Sequence, residues 1–483
     1  MHIYFSGIGG TGIGPLAQVA KQAGYEVSGS DVTDSSYLNS LTSQGISNIH
    51  VGQDTEQIAA VHAKKPINWF VYSSALPKTD PNHPELTFCK ENGIKTSKRD
   101  ELLNEILSQK KLKLIAVAGT HGKTTTTAMI VWLFKQLDIP ISYSVGAKLS
   151  FGDMGEYAKT SEYFIYEADE YDRNFLAFQP FMSLVSGVDW DHPDIYPTRE
   201  EYYRAFKKFI SQSQWSVLWH GDAKELKLSP AKNVLLLHDN EEAINKIKLP
   251  GHVNRLDAWL AAKSIFEIID KPLDELIDIL NSFPGLSRRF ENIAPNVYSD
   301  YAHTPGKIRG ALQMAREVID NKTQVTHLDG VQGAGEQRTE PYMKYGEGAA
   351  QSVTPQSAKS ASRVGGSADK SDSAMRGLVV VYEGLHNLRQ HFIKDELKTI
   401  FDDVKKLYIV PSYLAREDPN LPTLSPENLK NLLSQQAQKH TEVAQLDEKL
   451  KENIKKHAGS GETVLCLSAG GSGSLDEWLR QQF

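Results

Sequence analysis

The sequence is poor in cysteine, in long apolar runs and in blocks of basic residues. Cys89 and Cys466 are the only cysteines among 483 residues and lie far apart, which argues against a disulfide framework or a cysteine metal cluster. No uninterrupted apolar run is long enough to span a membrane. The net charge of -7 and the lack of a long Lys/Arg block argue against nucleic acid or an anionic membrane as the main partner.

The N-terminal stretch MHIYFSGIGG also lacks a basic leader and a signal-cleavage pattern. Together with the scarcity of cysteine, this favours a cytoplasmic protein without membrane insertion. An acidic protein can still bind small anions, because glycine loops and helix N-termini offer local backbone N–H donors. Phosphate-binding motifs are therefore compatible with the composition.

The length and the order of apolar segments predict an α/β fold with three domains. A prior of about 150 residues per domain gives roughly three domains. Nearly continuous apolar strands alternate with helical patterns, as in parallel sheets covered on both faces. We predict an N-terminal Rossmann-like domain (residues 1–110), a central P-loop ATPase-type parallel sheet (111–292) and a C-terminal Rossmann-like α/β domain (293–483).

One segment of the third domain does not fit a packed structure. Residues 331–376 are rich in Ser, Gly, Ala and Lys and poor in large aliphatic side chains. This composition predicts a disordered insertion, with a regulatory or partner-binding segment as the alternative. We predict no site there.

The segment LIAVAGTHGKTTTT, residues 114–127, is the strongest motif in the chain. An apolar strand ends in glycines, and a Lys-Thr pair opens a helix. Glycines let backbone N–H groups approach phosphate oxygens, while the helix N-terminus and Lys123 supply positive charge. The Thr124 hydroxyl can ligate magnesium. We predict that a nucleotide phosphate contacts Gly119, Gly122, Lys123, Thr124 and Thr125.

A second glycine-rich segment, GIGGTGIG, follows the first predicted strand. Asp31 ends the next strand-like segment, VSGSD, which gives the arrangement of a dinucleotide-binding fingerprint. A pyrophosphate would satisfy such a loop whether it belonged to NAD, UDP or another diphosphate ligand. We favour a nucleotide-sugar diphosphate because the chain holds a separate ATP loop, and a purely structural glycine turn is the alternative. The predicted contacts are Gly9, Gly10, Gly12 and Asp31.

Two further segments, YFIYEADEYD (163–172) and VDWDHPDIY (188–196), place carboxylates and a histidine after apolar strands. The carboxyl ends of parallel strands are where α/β sheets bind ligands. Because magnesium prefers oxygen ligands, we predict an ATP–magnesium site at Thr124 and Glu167. His192 is predicted to hold a second magnesium or to orient the acyl-phosphate, with an ordinary hydrogen-bonded loop histidine as the alternative.

The motifs GTHGKTTTT, EADEYD, DWDHPDIY, LSRRFE and DYAHTP occur in an order that resembles the Mur ligases. The resemblance covers nearly the whole chain apart from the insertion. It implies a UDP-binding N-terminal domain, a central ATPase domain and a C-terminal domain that closes over the site. ATP would convert the carboxylate of UDP-N-acetylmuramate to an acyl-phosphate, and the amine of L-alanine, or of a tripeptide, would displace the phosphate.

The resemblance also implies roles for single positions. The catalytic residues would be Lys123, Glu167 and His192, and the magnesium ligands Thr124, Glu167 and His192. The ATP contacts would be Gly119, Thr120, His121, Gly122, Lys123, Thr124, Thr125, Asn254, Arg289 and Asp300. The substrate contacts would be Gly9, Gly10, Gly12, Asp31, Ser73, Ser74, His303 and Arg389. Some family members carbamylate a lysine, and Lys207 lies at a plausible distance, although an ordinary surface lysine is favoured.

Two other classes of protein compete with a ligase. An ATP-binding regulatory switch would use the same phosphate loop without joining substrates. An NAD-dependent oxidoreductase would use GIGGTGIG but would leave GTHGKTTTT without a purpose.

Overall fold

A computed structural model of the protein describes residues 1–73, 76, 80–192, 194–329, 377–414, 421–468 and 473–483. The predicted insertion at 331–376 and the predicted contact Ser74 lie outside the described residues. The described strands form three sheets, of five, seven and six strands.

The first sheet is parallel, in the order β3-β2-β1-β4-β5. Its central strand β1 is buried along its whole length, as expected for a sheet covered on both faces. The strands are β1 (His2–Ser6), β2 (Glu26–Asp31), β3 (Ile49–Val51), β4 (Trp69–Tyr72) and β5 (Lys95–Lys98). The helices are α1 (Gly14–Gln22), α2 (Ser36–Ser43), α3 (Thr55–Lys64), α4 (Pro84–Glu91) and α5 (Arg99–Lys110). The predicted Rossmann-like sheet is confirmed.

Local chemistry explains where helices of this layer begin. The Asp54 carboxylate accepts a hydrogen bond from the Gln57 N–H at 2.8 Å, and the Ser35 hydroxyl accepts one from Leu38 at 3.3 Å. These side chains satisfy backbone donors that a helix leaves open in its first turn. Helices α3 and α2 therefore start directly after a capping residue.

The second sheet has the order β12-β11-β10-β6-β9-β7-β8, with β6 at its centre. Neighbouring strands are parallel except for the short edge strand β8, which pairs antiparallel with β7 and was not predicted. The strands are β6 (Lys113–Ala118), β7 (Ser142–Ser144), β8 (Gly155–Glu156), β9 (Tyr163–Glu167), β10 (Met182–Val185), β11 (Trp215–Trp219) and β12 (Val234–Leu237). The helices are α6 (Lys123–Gln136), α7 (Arg199–Gln212), α8 (His220–Glu225), α9 (His252–Phe266) and α10 (Leu273–Asn281), with 3₁₀ helices at Tyr171–Ala177 and Glu242–Lys246.

The core of the second sheet fixes helix α6 behind the predicted phosphate loop, residues 119–122. Ile130 and Phe134 of α6 are fully buried with Val117 of β6 and Trp259 of α9 in one apolar cluster. Burying each such side chain contributes about 1.5–3 kcal/mol. The N-terminal turn of α6 therefore stands on a rigid support, which suits a site that must be held in shape.

Helix α1 packs directly against strand β8, so the helices of the first sheet contact the edge of the second sheet. A Cβ on Gly155 would overlap the carbonyl of Pro15, so only glycine fits. The Tyr157 N–H also donates to the Gln22 side chain at 2.6 Å. The first two sheets are accordingly parts of one compact unit.

The third sheet has the order β13-β14-β18-β15-β16-β17, and β15 is buried along all eight residues. Its strands are β13 (Glu291–Ala294), β14 (Val297–Asp300), β15 (Leu378–Leu385), β16 (Lys406–Tyr413), β17 (Thr441–Val443) and β18 (Thr463–Leu467). Its helices are α11 (Pro305–Asp329), α12 (Asn387–Leu397), α13 (Pro426–Leu432), α14 (Gln435–Lys439), α15 (Glu448–Gly459) and α16 (Leu475–Gln482).

The chain divides into two compact units. The first comprises residues 1–291, 299–302 and 414–418, and the second comprises 292–298, 303–413 and 419–483, counted over the described positions. The predicted α/β class with three domains, each built on its own sheet, is confirmed, while the domain limits at 110 and 292 stay predictions. In the part of the chain that the structure describes, no helix combines the length and apolar character needed to cross a membrane.

Candidate active site

The phosphate loop connects strand β6 with helix α6, as predicted. The loop holds Gly119 and Gly122, and α6 begins at Lys123. Both glycines have positive φ, +144° and +79°. A Cβ on Gly119 would overlap the Ser186 hydroxyl, and one on Gly122 would overlap the Asp257 carboxyl group. Only glycine therefore fits at these two positions.

A buried ion pair fixes the ammonium group of Lys123. Its Nζ lies 2.8 Å from Oε2 of Glu170 and donates a hydrogen bond to the Gly119 carbonyl at 2.5 Å. Burial lowers the pKa of Lys123, but Glu170 and Asp169 outweigh this effect and hold the pKa above its ordinary value. Burial raises the pKa of Glu170, but Lys123 and His192 outweigh it and hold that pKa well below its ordinary value. Both groups are therefore charged at neutral pH.

His192 lies on the other side of the Glu170 carboxylate. Its Nε2 is 3.6 Å from Oε1 of Glu170, and its ring meets Tyr171 edge-on with 5.0 Å between centroids. Its φ is +55°, and its carbonyl accepts hydrogen bonds from the N–H groups of Ile195 and Tyr196. A non-glycine residue with left-handed backbone is strained, and such strain is concentrated at functional sites. The predicted histidine thus belongs to the same cluster as the loop lysine.

Thr124 and Glu167 meet where strands β6 and β9 end. The Thr124 hydroxyl donates to Oε1 of Glu167 at 2.8 Å, and Oε2 accepts the Gly146 N–H at 2.9 Å. Nη2 of Arg289 approaches the same hydroxyl at 3.4 Å. A hydroxyl and a carboxylate side by side are the oxygen ligands that Mg²⁺ prefers, so this pair fits a magnesium ion.

The other predicted loop residues have different surroundings. Thr120 is buried, shares a hydrogen bond with the Tyr202 hydroxyl at 2.8 Å and donates its N–H to the Gly187 carbonyl at 2.9 Å. The His121 ring packs so closely on Gly187 that a Cβ there would overlap it. Thr125 is half-buried in the first turn of α6. The Thr120 side chain therefore ties the loop to helix α7, and its N–H ties the loop to the segment that follows β10.

The N-terminal glycine loop closes on strand β2. The N–H groups of Gly7 and Ile8 donate to the Ser30 carbonyl at 2.8 and 3.0 Å. The Gly9 N–H donates to Oδ2 of Asp31 at 2.8 Å, and a Cβ on Gly9 would lie 2.9 Å from that oxygen. The other carboxylate oxygen accepts the Thr33 N–H at 3.4 Å, so Asp31 lies at the loop as predicted, with both oxygens bonded to the backbone.

Arg99, at the start of α5, brings a positive charge to this loop. A Cβ on Gly12 would overlap its guanidinium group, and the Gly10 N–H donates back to the Gly7 carbonyl at 3.0 Å. Nη2 of Arg99 lies 3.4 Å from Oδ2 of Asp169, which precedes Glu170 in EADEYD. The guanidinium therefore lies between the N-terminal loop and the acidic segment of the second sheet.

The N-terminal glycine loop and the first turn of α6 line one cavity of about 560 Å³. Gly9 and Gly12 line it from the first sheet, and Thr124 and Glu167 line it from the second. The other lining residues are Thr11, Gln18, Tyr37, Ser40, Arg99, Ser144, Gly146, Ala147, Lys148, Leu149, Gly152, Asp153, Met154, Tyr166, Asp169, Ser287, Arg288, Arg289 and Tyr301. The volume is within the usual range for small-molecule sites.

The Asp300 carboxylate orders the segment that carries Arg289. Oδ2 of Asp300 accepts the Phe290 N–H at 2.7 Å, and the Tyr301 N–H donates to the Arg288 carbonyl at 2.9 Å. The guanidinium groups of Arg288 and Arg289 lie 4.8 and 5.3 Å from the centre of the Tyr301 ring. Cation–π contacts of this kind hold both arginines at the cavity wall.

Two predicted positions lie on helices of the second sheet. The Asn254 amide donates to the Pro250 carbonyl at 2.8 Å and so is bonded to the turn before α9. Lys207 is exposed on α7, as expected of an ordinary surface lysine.

The remaining predicted substrate contacts are spread over the chain. Ser73 follows β4, and its carbonyl accepts the Leu76 N–H at 3.0 Å. His303 is buried just before α11, and Arg389 is half-buried in α12. These last two belong to the second compact unit, whereas the cavity belongs to the first.

Glu170 and Arg99 are residues at this site that the motifs did not single out, and Asp257 was not among the predicted contacts. Glu170 lies within EADEYD, but nothing in that run of acidic residues distinguishes the one that is fully buried. Arg99 follows a strand end, a position where α/β sheets place ligand contacts, and this was the available signal.

The sequence matches two family domains. The catalytic domain of the Mur ligase family matches residues 2–111, and the Mur ligase middle domain matches residues 117–255. The curated UDP-N-acetylmuramate–L-alanine ligase of Clostridium novyi is 31% identical over 348 residues, which are 65% of this chain and 73% of that protein. The protein of the same name from Cytophaga hutchinsonii is 31% identical over 362 residues, 67% of this chain and 76% of that protein.

Solved structures share the fold. A UDP-N-acetylmuramate–alanine ligase from Thermotoga maritima has a TM-score of 0.69 at 20% identity, over 100% of this chain and 98% of that one. A murein peptide ligase from Psychrobacter arcticus has a TM-score of 0.59 at 17% identity, with the same coverage. The sequence matches and the shared fold together place the chain in the Mur ligase family of ATP-dependent ligases.

Proposed function

We propose that this ligase of peptidoglycan synthesis joins the carboxylate of UDP-N-acetylmuramate to the amine of L-alanine, in the cytoplasm. The observation that carries the proposal is the shared cavity: Gly9 and Gly12 of the N-terminal loop and Thr124 and Glu167 beside the phosphate loop line the same space. A sugar nucleotide held by the first pair and ATP held at the second would bring carboxylate and γ-phosphate together. Proximity of two bound reactants lowers the entropic part of the barrier.

The ATP end of the cavity would bind the triphosphate through backbone and charge. The N–H groups at the start of α6 and the Lys123 ammonium are suited to phosphate oxygens. Thr124 and Glu167 would hold a magnesium ion, which would neutralise charge on the phosphates. Glu170 keeps Lys123 protonated, and Arg289 reaches the same threonine.

The reaction would proceed through an acyl-phosphate. A carboxylate oxygen attacks the γ-phosphorus and ADP leaves; the amine then attacks the acyl carbon, and inorganic phosphate leaves. An unactivated carboxylate is a poor acyl donor, so phosphorylation supplies the leaving group. The protein contributes fixed positive charge where negative charge develops, namely Lys123 and Arg289. His192, fixed beside Glu170, would orient the transferred phosphoryl group.

The sugar-nucleotide end would use the first glycine loop. The diphosphate is expected at Gly9, Gly10 and Gly12, with the Arg99 guanidinium as its counter-charge. Asp31 shapes this loop by binding the Gly9 N–H. UDP recognition is thereby separated from ATP recognition, although both ligands share the cavity.

A tripeptide is the second candidate for the amine substrate. The fold likeness to a murein peptide ligase, at a TM-score of 0.59, supports keeping this candidate. His303 and Arg389, proposed as contacts of the amine substrate, lie in the second compact unit.

Phosphate release separates these functions. Purified protein would be given ATP, magnesium and UDP-N-acetylmuramate with no acceptor, with single amino acids or with the tripeptide. We expect release that depends on L-alanine and yields one phosphate per amide bond. Dependence on the tripeptide alone would identify the recycling reaction. Release without any acceptor or amide product would contradict a ligase and favour an ATP-driven switch.

A further inference from the structure

A buried carboxyl group lies behind the phosphate loop and has no part in the chemistry above. Asp257 on α9 is 4% exposed. Its Oδ1 is so close to Gly122 that a Cβ on that glycine would overlap it. The Asp257 side chain therefore supports the loop at the last residue before α6.

The charges around this carboxyl group are few. Arg289 is the cation whose field acts on it. The Lys123 ammonium, one residue beyond Gly122, is turned towards Gly119 and Glu170. Thr126 of α6 acts on it by a side-chain hydrogen bond. The residues that follow Asp257 along α9, Ala258, Trp259 and Leu260, are buried in an apolar cluster with Ile130 of α6. The site thus offers a carboxylate one cation and much apolar surface.

Such surroundings favour the protonated acid. Burial raises the pKa of Asp257 to about 8, although Thr126 and Arg289 act in the opposite direction. An ionised carboxylate here would also stand behind a loop that is expected to bind a polyanion. Like charge so close to the phosphates would disfavour nucleotide binding.

We propose that Asp257 is a positioning residue that works as a neutral carboxylic acid: it keeps the phosphate loop in shape behind Gly122, and its ionisation weakens ATP binding. The second half of this proposal rests on the proposed function, because it needs ATP in the loop. The first half does not.

Thermal unfolding without ligands tests whether Asp257 is protonated in the folded protein. A folded-state pKa above the unfolded value of 3.8 means that the folded protein retains a proton which the unfolded chain releases. Stability should therefore fall as pH rises from about 4 to 8, and Asp257→Asn should escape this loss. We expect the melting temperature of Asp257→Asn minus that of the wild type to grow by at least about 2 °C between pH 5.5 and 8.5. The exposed Asp278→Asn on α10 is the matched control and should run parallel to the wild type.

Calorimetric measurement of ATP binding tests whether ionisation of Asp257 weakens that binding. Binding is measured rather than turnover, because the amine substrate itself titrates at alkaline pH. From pH 7 to 9 in excess magnesium, we expect the Kd for ATP to rise about fivefold or more in the wild type and less than twofold in Asp257→Asn. Asp257→Ala, which leaves a gap behind Gly122, should bind ATP more weakly than Asp257→Asn at both pH values.

The outcomes separate the two proposals. Parallel melting profiles of wild type and Asp257→Asn would overturn the neutral acid. If the melting profiles diverge but the Kd for ATP changes with pH equally in both proteins, only the proposed effect on ATP binding is overturned. A wild type that binds no ATP at either pH would overturn both the ATP effect and the proposed function, while the melting profiles would still decide the state of Asp257.

Discussion

Two glycine-rich loops in this chain follow a buried parallel strand and precede a helix, yet they end differently. In the N-terminal loop the N–H groups of Gly7, Ile8 and Gly9 are bonded to Ser30 and Asp31 of the neighbouring strand. In the central loop a lysine opens the helix. Both loops are glycine-rich, and residues outside the glycines decide which charge each loop presents.

A carboxylate completes each loop in a different way. Asp31 takes up a backbone donor, so it shapes the N-terminal loop without adding positive charge. Glu170 pairs with Lys123, so it fixes a cation at the central loop. The positive charge of the first loop comes instead from Arg99, far along the chain. A glycine motif alone thus indicates a turn, and its ligand depends on residues outside the motif.

Of the changes that test this comparison, removing the lysine of the central loop should have the largest effect on activity. Lys123→Ala is expected to lower ATP-dependent phosphate release by at least about 10²-fold, because a fixed positive charge at the transferred phosphoryl group is lost. UDP-N-acetylmuramate binding, measured by calorimetry, should persist because it depends on the other loop. A folded variant that no longer binds the sugar nucleotide would contradict the division of roles.

The same substitution leaves the buried Glu170 without its lysine partner and with only His192 beside it. We expect a cost of up to about 3–5 kcal/mol in the free energy of unfolding. The double variant Lys123→Met, Glu170→Gln is the control, since it removes both charges. Chemical denaturation should show recovered stability, while phosphate release should stay low. Recovery of activity together with stability would show that the lysine acts on folding alone.

Two glycines with nearly the same φ provide a matched pair. Gly122 has φ +79° and no room for a Cβ, whereas Gly7 has φ +76° and nothing within 4 Å of a Cβ. Gly122→Ala should raise the Kd for ATP about tenfold or more because the loop must shift. Gly7→Ala should only destabilise the fold, by about 1–2 kcal/mol. Equal effects of both substitutions on ATP binding would contradict the assignment of ATP to the central loop.

Removing the carboxylate of the first loop should have an intermediate effect. Asp31→Ala leaves the Gly9 N–H without its acceptor and is expected to raise the Kd for UDP-N-acetylmuramate about three- to tenfold. The Kd for ATP should change less than twofold. Calorimetric titration with each ligand separately measures both, and a larger change for ATP would reverse the assignment.

The smallest effect is expected from an ion pair between the two layers. Nζ of Lys98 lies 2.6 Å from Asp172, and the lysine side chain is 36% exposed. Exposed pairs contribute about 0–1 kcal/mol. Lys98→Ala should therefore lower the melting temperature by no more than about 2 °C and leave both Kd values within twofold. A loss of ligand binding would show that this pair sets the distance between the loops.

The parts of this site that could be predicted are those set by local pattern. Strand β6 pairs in parallel with β9, so the loop after β6 and Glu167 at the end of β9 lie at the same edge of the sheet, where Thr124 meets Glu167. Lys123 could be placed because the glycines and the helix start lie within a few residues. The contact between Thr124 and Glu167 follows the predicted geometry, while their roles with magnesium and ATP stay predictions.

The rest depends on contacts between segments that are distant in sequence. In EADEYD the acidic residues look alike, and Glu170 becomes the partner of Lys123 only because Lys123 and His192 both pack around it. Asp257 supports the phosphate loop only because α9 packs against α6. Neither contact leaves a trace in the spacing of residues, so sequence patterns could not have found them.

The packing of helix α1 on strand β8 also bears on how this protein could be engineered. Because the Pro15 carbonyl leaves no space for a side chain at Gly155, helix α1 and strand β8 should be exchanged together when the first sheet is transplanted between ligases. A chimera joined at residue 110 would have a steric clash at this contact unless its partner also has glycine at the position that matches 155. Chimeras that carry both sides of this contact should express and fold, which makes Gly155 a practical marker for choosing parents.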